Sequence, residues 1–181
     1  MTTQTAAGTW TIDGAHSVAE FAVKHMMVST VKGRFHTIRG DLQIDEVNPA
    51  NSRVDAEIET VSVDTGQEQR DAHLRSDDFF GSEQFPLITF HSTGVERVDD
   101  DVWKVHGELT IRDVTRPVVL ETEFEGQIRD AFGKQRAAFS ATTAINRRDF
   151  GLNWNGVIEA GGVVVQDRVK VTLHIAALRQ E

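Results

Sequence analysis

The chain of 181 residues contains no cysteine and no tyrosine. Without cysteine there are no disulfides, no thiolate chemistry and no Cys-ligated zinc, while reducing and oxidising compartments both remain compatible with the count. Without tyrosine, the aromatic surface of its 10 Phe carries no phenolic hydroxyl that needs a partner. Positive charge is in deficit: 19 Lys and Arg against 28 Asp and Glu leave a formal net charge of -9. That balance works against phosphate-backbone attraction, so no nucleic-acid partner is expected. No run of four or more Lys/Arg offers a foothold on an anionic bilayer, and any membrane contact is expected to be transient. No stretch reaches transmembrane length. Residues 1–9 are small and polar, without the basic start and apolar run of a secretory signal, and the expected location is cytoplasmic. A Gly-rich phosphate loop, a dinucleotide fingerprint and a nucleophile elbow are all missing; Gly161 and Gly162 merely precede an apolar run.

What is present is alternation. Ala19, Phe21 and Val23, then Val54, Ala56 and Ile58, then Trp103, Val105, Leu109 and Ile111 recur at the strand period, as do Phe139, Ala141 and Ile145 and finally Val169, Val171, Leu173 and Ile175. About eight strands follow, over 18–25, 34–44, 53–63, 86–95, 102–111, 117–128, 136–145 and 167–177, a number at which a closed barrel first has a usable interior. Closure removes the exposed edges of an open sheet. The breakers lie at Asn48 and Pro49, at 99–101, at 113–117 and at 129–133, where hairpin turns imply antiparallel neighbours. The expected fold class is therefore all-β, a closed antiparallel barrel formed by a single domain over residues 10–178, with 1–9 as a flexible N-terminal segment.

One segment departs from the strand period. Thr65 and Glu68 have the spacing of a capping box, which predicts a short helix over 67–75 carrying an Asp71–Arg75 pair. Ser76, Asp77 and Asp78 then cap a brief turn before Phe79, Phe80 and Phe85, and helix and aromatic plug together seal one barrel end. On that helix Arg70, Asp71 and His73 combine a cation, an acid and a titratable base; their simpler role is anchorage of the helix to the barrel rim. None of the seven histidines has the spacing of a helical zinc pair, so no metal site is expected. His16 and Ser17, adjacent on a strand, point to opposite faces and cannot work as base and nucleophile; with Asp13 and Gly14 they form a strand-entry turn. His25, in phase with Phe21 and Val23, is expected to point inward.

The inward face collects Phe21, Phe35, Ile58, Phe90, Val105, Leu109, Phe124, Phe139 and Trp154, with Ala19, Ala56, Gly107 and Ala141 between them. Small residues among large ones either leave room for a ligand or let side chains interdigitate into a solid core.

In order and spacing the chain resembles the YceI-like family, lipocalin-like barrels that bind polyisoprenoid lipids. The resemblance begins at Trp10-Thr-Ile-Asp13-Gly-Ala-His16-Ser17 and is strongest in Arg70-Asp-Ala-His73-Leu74-Arg-Ser76-Asp-Asp78-Phe79-Phe80 followed by Phe85-Pro86-Leu-Ile88-Thr-Phe90. Gly107-Glu-Leu109-Thr-Ile111 and Arg147-Arg-Asp149-Phe150-Gly151-Leu152 complete it. It implies an apolar tunnel for an isoprenoid chain of polyprenyl or quinone type, often a homodimer, and neither catalysis nor a cofactor. The ligand-binding set so expected is Phe21, Val23, His25, Phe35, Ile58, Arg70, His73, Phe79, Phe90, Val105, Leu109, Phe124, Phe139 and Trp154. Many relatives carry a secretory signal, which this sequence does not show. Two other readings stand beside it: an enzyme for a hydrophobic substrate with His73 or His25 as general base, and an interaction barrel packed solid.

Overall fold

A computed structural model describes residues 8–156 and 164–181. The alternating segments form strands β1 (Gly8–Ile12), β2 (Val18–His25), β3 (Ser29–Phe35), β4 (Ile38–Ile44), β5 (Arg53–Glu59), β6 (Val63–Asp64), β7 (Leu87–Asp99), β8 (Val102–Ile111), β9 (Val114–Arg129), β10 (Gln135–Asn146) and β11 (Val165–Arg179), with one helix, α1 (Glu68–Arg75). Three pairs, β1 with β2, β3 with β4 and β5 with β6, are halves of single bent strands, because each half pairs with the matching half of its neighbour. Eight staves result, every neighbour antiparallel and next in the chain, and β11 closes the ring by pairing with β1 at 177–179 and with β2 at 165–174. This is a closed eight-stranded antiparallel barrel.

The bends have visible causes. Between β1 and β2 the Asp13 carboxylate accepts from the Ala15 amide and from His16, while the buried Ser17 hydroxyl donates to the Ala176 carbonyl and accepts from its amide. Ser17 thus replaces the ladder bonds that the turn interrupts, and His16 and Ser17 serve as strand entry. Between β5 and β6 the buried Thr60 donates to the carbonyls of Phe85 and Pro86, tying the bend to the chain that enters β7.

Several boundaries differ from the sequence reading. Gly8 and Thr9 belong to β1 and pair with Ile44 and Gln43, so strand replaces the expected flexibility there; the rest of the N-terminal segment, like Gly161 and Gly162, lies outside the described residues. β9 starts at Val114, and the turn expected over 113–117 is confined to Arg112 and Asp113. Pro117 fits inside the strand because the ladder with β10 begins only at Glu121, so its missing N–H costs no bond on that side. Helix α1 has the expected extent, but no capping box forms. Gln67 is the N-cap without a side-chain bond, and Thr65 donates from both its amide and its hydroxyl to the buried Asp71 carboxylate. Asp71 is therefore not paired with Arg75, whose guanidinium donates to the Val61 and Val63 carbonyls. With Arg70 donating to Thr65, these bonds moor the helix across one barrel end.

Two zones of packed side chains fill part of the interior. One gathers Ala19, Phe35, Val63, Ile88, Ile111, Phe150 and Leu152 near α1; the other gathers Trp10, Ile12, Ile38, Leu42, Ala137 and Ala177 at the opposite end, and Ile58 packs against both. Gly33 and Gly107 serve the packing directly, since a Cβ at either would collide with the ring of Phe21 or Phe90. At Gly107 the small residue seats an aromatic ring and leaves no void.

Candidate functional site

Between the packed zones the barrel is hollow. A cavity of about 970 Å³ runs along it, at the upper end of the range that takes small ligands. Many side chains that alternation turns inward, among them Phe21, Val23, Leu109, Phe124, Phe139, Val169, Val171 and Leu173, keep accessible surface although they sit on paired central strands. In a solid core these positions would be buried; here they face open space.

All fourteen residues of the expected ligand set border this cavity. Phe21 and Phe35 meet at 5.6 Å between ring centroids, and Phe35 stands edge-on to Phe80 at 5.4 Å. Toward the far end Phe124 and Phe139 tilt together at 5.5 Å. Ile58, Phe90, Val105 and Leu109 form the wall between them, and Val23 and His25 carry it up β2 to the end covered by α1. That end is dressed with nitrogen-bearing side chains, Lys24, His25, Gln67, Gln69, Arg70 and His73, whereas Asp45, Glu46, Asp100 and Asp101 with Arg53 and Arg97 border the other.

His73 sits at the helix end, wedged between Phe79 and Trp154 at centroid distances of 5.1 and 4.8 Å, both edge-on. Its Nε2 lies 2.8 Å from the Asp78 carboxylate. Arg70 and Asp71 are both occupied with Thr65, so the sequence cluster of cation, acid and base is split: two of its members anchor the helix, and His73 takes its acid from the following turn. Such single pairing is general, since His16, His36, His91, His106 and His174 each face one carboxylate as well. Among the described residues no group of three His, Asp or Glu is placed to hold a metal ion.

Arg147 lies in the stretch that resembles the family but outside the expected ligand set. It is only 3% exposed and lines the cavity, yet its guanidinium donates to four backbone carbonyls, those of Leu152, Trp154, Val165 and Gln166. Burial lowers its pKa from the usual arginine value, opposed by Asp167 at 3.7 Å. By gripping the Trp154 carbonyl it fixes the residue that leans on His73. Arg112 does similar work on the other side, donating to the Asp77 and Phe79 carbonyls with its cation over the Phe85 ring. No sequence period marks such arginines, because their partners are backbone oxygens, which any residue supplies.

A family model described as YceI-like domain matches residues 10–177. Protein YceI of Escherichia coli is 40% identical over 140 residues, 77% of this chain and 73% of that one, and a UPF0312 protein of Vibrio parahaemolyticus is 40% identical over 137 residues, 76% and 72% of the two chains. The crystal structure of a Campylobacter jejuni YCEI protein superposes with a TM-score of 0.74 at 31% identity, covering 87% of this chain and 90% of that one. Burkholderia cenocepacia BcnA gives a TM-score of 0.80 at 20% identity over 91% and 98% of the chains. A polyisoprenoid binding domain from Saccharophagus degradans gives 0.67 at 17% identity, with 94% and 98% covered, and so shares the fold.

Proposed function

The chain belongs to the YceI-like family, and from that premise we propose that it is a binding protein that encloses a long-chain isoprenoid, of polyprenyl or isoprenoid-quinone type, without transforming it. The observation that carries the reading is the hollow interior itself: inward aromatic and aliphatic side chains of paired strands left facing open space along the barrel. A protein that gained nothing from that space would be more stable filled. The related fold of a polyisoprenoid binding domain supports the choice of ligand. Burial of a chain in such a wall is worth roughly 0.8 kcal/mol per methylene against water, but close to nothing against a bilayer, so pick-up and release between membranes need no energy source.

The test is to purify the protein without detergent, extract it with organic solvent and identify the extract by mass spectrometry, then to titrate delipidated protein with a long-chain isoprenoid. An isoprenoid in the extract and saturable binding are expected; an empty extract together with no binding would overturn the reading.

A second reading has one observation in its favour. Asp78 gives His73 the carboxylate partner that a general base needs. Recovery of the bound isoprenoid chemically unchanged after long incubation, in the native protein and in His73→Gln alike, separates carriage from chemistry.

A further inference from the structure

We infer that the β2–β3 hairpin tip is a docking element for an anionic lipid bilayer, placed beside the helix end of the cavity. The tip consists of Met26, Met27 and Val28, exposed by 44%, 55% and 85%. Met26 and Met27 have φ values of 51° and 67°, and the Val28 amide donates to the His25 carbonyl, so the two methionines occupy both central positions of a β-turn within the three-residue loop that joins His25 to its ladder partner Ser29. Those positions favour Asn and Gly, which accept positive φ and are readily solvated. Two methionines there cost backbone strain and expose apolar surface, although the Met26 amide, which donates to the Val164 carbonyl, ties the turn to the barrel. That bond needs only the backbone, so the choice of exposed apolar side chains over solvated ones points to a functional constraint.

Charge names the partner. Phe21, Val23 and His25 face the cavity, so Lys24 stands on the outer face of β2, at the cavity rim, and in the ladder Ala22 lies between Lys32 on one side and Lys170 on the other. Arg168 lies on the same outer face of β11, toward the same end. Three of the chain's five lysines and one arginine thus gather just below the tip, in a protein of net charge -9, and none of the four makes an ion pair among the described residues. Glu20, an acid on this face, faces His174 at 3.8 Å. An apolar tip above a basic collar suits insertion into a bilayer whose surface is anionic. The collar is assembled from three strands, so no run of basic residues betrays it in the sequence. His25 and Lys24, which flank the tip, also border the cavity, so docking here would bring its helix end to the membrane surface.

This inference rests on the isoprenoid reading for its purpose but is tested apart from it. Flotation with vesicles of phosphatidylcholine containing phosphatidylglycerol, and with vesicles of phosphatidylcholine alone, measures docking. Binding only to the anionic vesicles, weakening as salt rises, is expected. Lys24→Gln with Lys32→Gln should weaken it by about 30-fold, at roughly a tenfold change per lost 1.4 kcal/mol and about one such kcal/mol per lysine. Met26→Asn with Met27→Asn, which suits the turn geometry and keeps the fold, should abolish it, whereas Phe132→Ser, at the 88% exposed tip of the β9–β10 hairpin, should not. Equal binding by the tip variant, or equal binding to neutral vesicles, overturns the proposal. So does a tip variant that changes the sedimenting mass of the protein and leaves vesicle binding unaltered, which would assign the tip to contact between copies of the chain. Vesicle binding by a protein that extracts empty and takes up no added isoprenoid would instead remove the isoprenoid reading and leave the docking one standing.

Discussion

Two alanines of the inner face show how far a single residue can be read. Ala19 and Ala56 alternate identically in sequence, yet Ala19 is buried opposite Phe35 in the packed zone, while Ala56, opposite Gly40 and Phe90, keeps surface toward the cavity. Ala19→Leu should therefore overpack and destabilise the delipidated protein by about 1–3 kcal/mol, whereas Ala56→Leu should cost little and weaken long-chain isoprenoid binding instead. Urea unfolding and lipid titration of both variants check this; equal destabilisation with unaltered affinity would mean that Ala56 too lies in solid packing. Period-two alternation was enough to place Phe21, Phe124 or Leu109 inside, because facing is decided locally by the pleat. It could not separate wall from plug, and it was silent on Arg147, whose carbonyl partners belong to other strands and loops.

At the scale of elements, α1 was legible in position but not in attachment. Thr65 and Glu68 have capping-box spacing, yet the positive φ of Gly66 turns the chain so that Asp71 reaches back to Thr65 instead. The side chain that looked like one half of a surface ion pair is the helix's main mooring. Asp71→Ala strands the Thr65 amide and hydroxyl and should cost about 1–3 kcal/mol. The loss should be local, with faster amide hydrogen exchange over 65–80 and unchanged protection in β8 and β10; uniform loss of protection would show that the helix and barrel unfold as one. The strand β1 escaped notice for a different reason. Only Trp10 and Ile12 alternate there, too short a run to count, and β1 is specified instead by the neighbours it joins, β4 and β11.

Across the whole molecule, closure was legible from the number of strands, and acid sensitivity follows from where the carboxylates lie. The Asp13 carboxyl is held below its usual range first by His16 and then by Arg136, against the opposing effect of burial, and Asp130 is lowered by the same Arg136 guanidinium. Asp45, bonded by the Asn48 amide, and Asp64, bonded by His36, are lowered as well. A carboxyl whose folded pKa is depressed stabilises the protein above its unfolded value, about 3.9, and that contribution is lost as pH falls through the folded one. The Tm should accordingly fall as pH drops below about 4, and Asp130→Asn should lower it at neutral pH while flattening the acid decline. Thermal scans from about pH 6 to 2 decide the matter, and a Tm unmoved below about pH 4 would remove these carboxylates from the account.

The seam of the barrel joins its first and last staves: β11, completed at Arg179, is the stave that meets both β1 and β2. A hairpin can form as soon as its second strand has been made, but this pairing must wait until all the other staves have been made. While synthesis proceeds, the growing sheet has two open edges and an uncovered apolar face, the condition in which nascent chains are prone to associate wrongly. The cavity is thus enclosed only when β11 pairs, the last of the eight staves to be made.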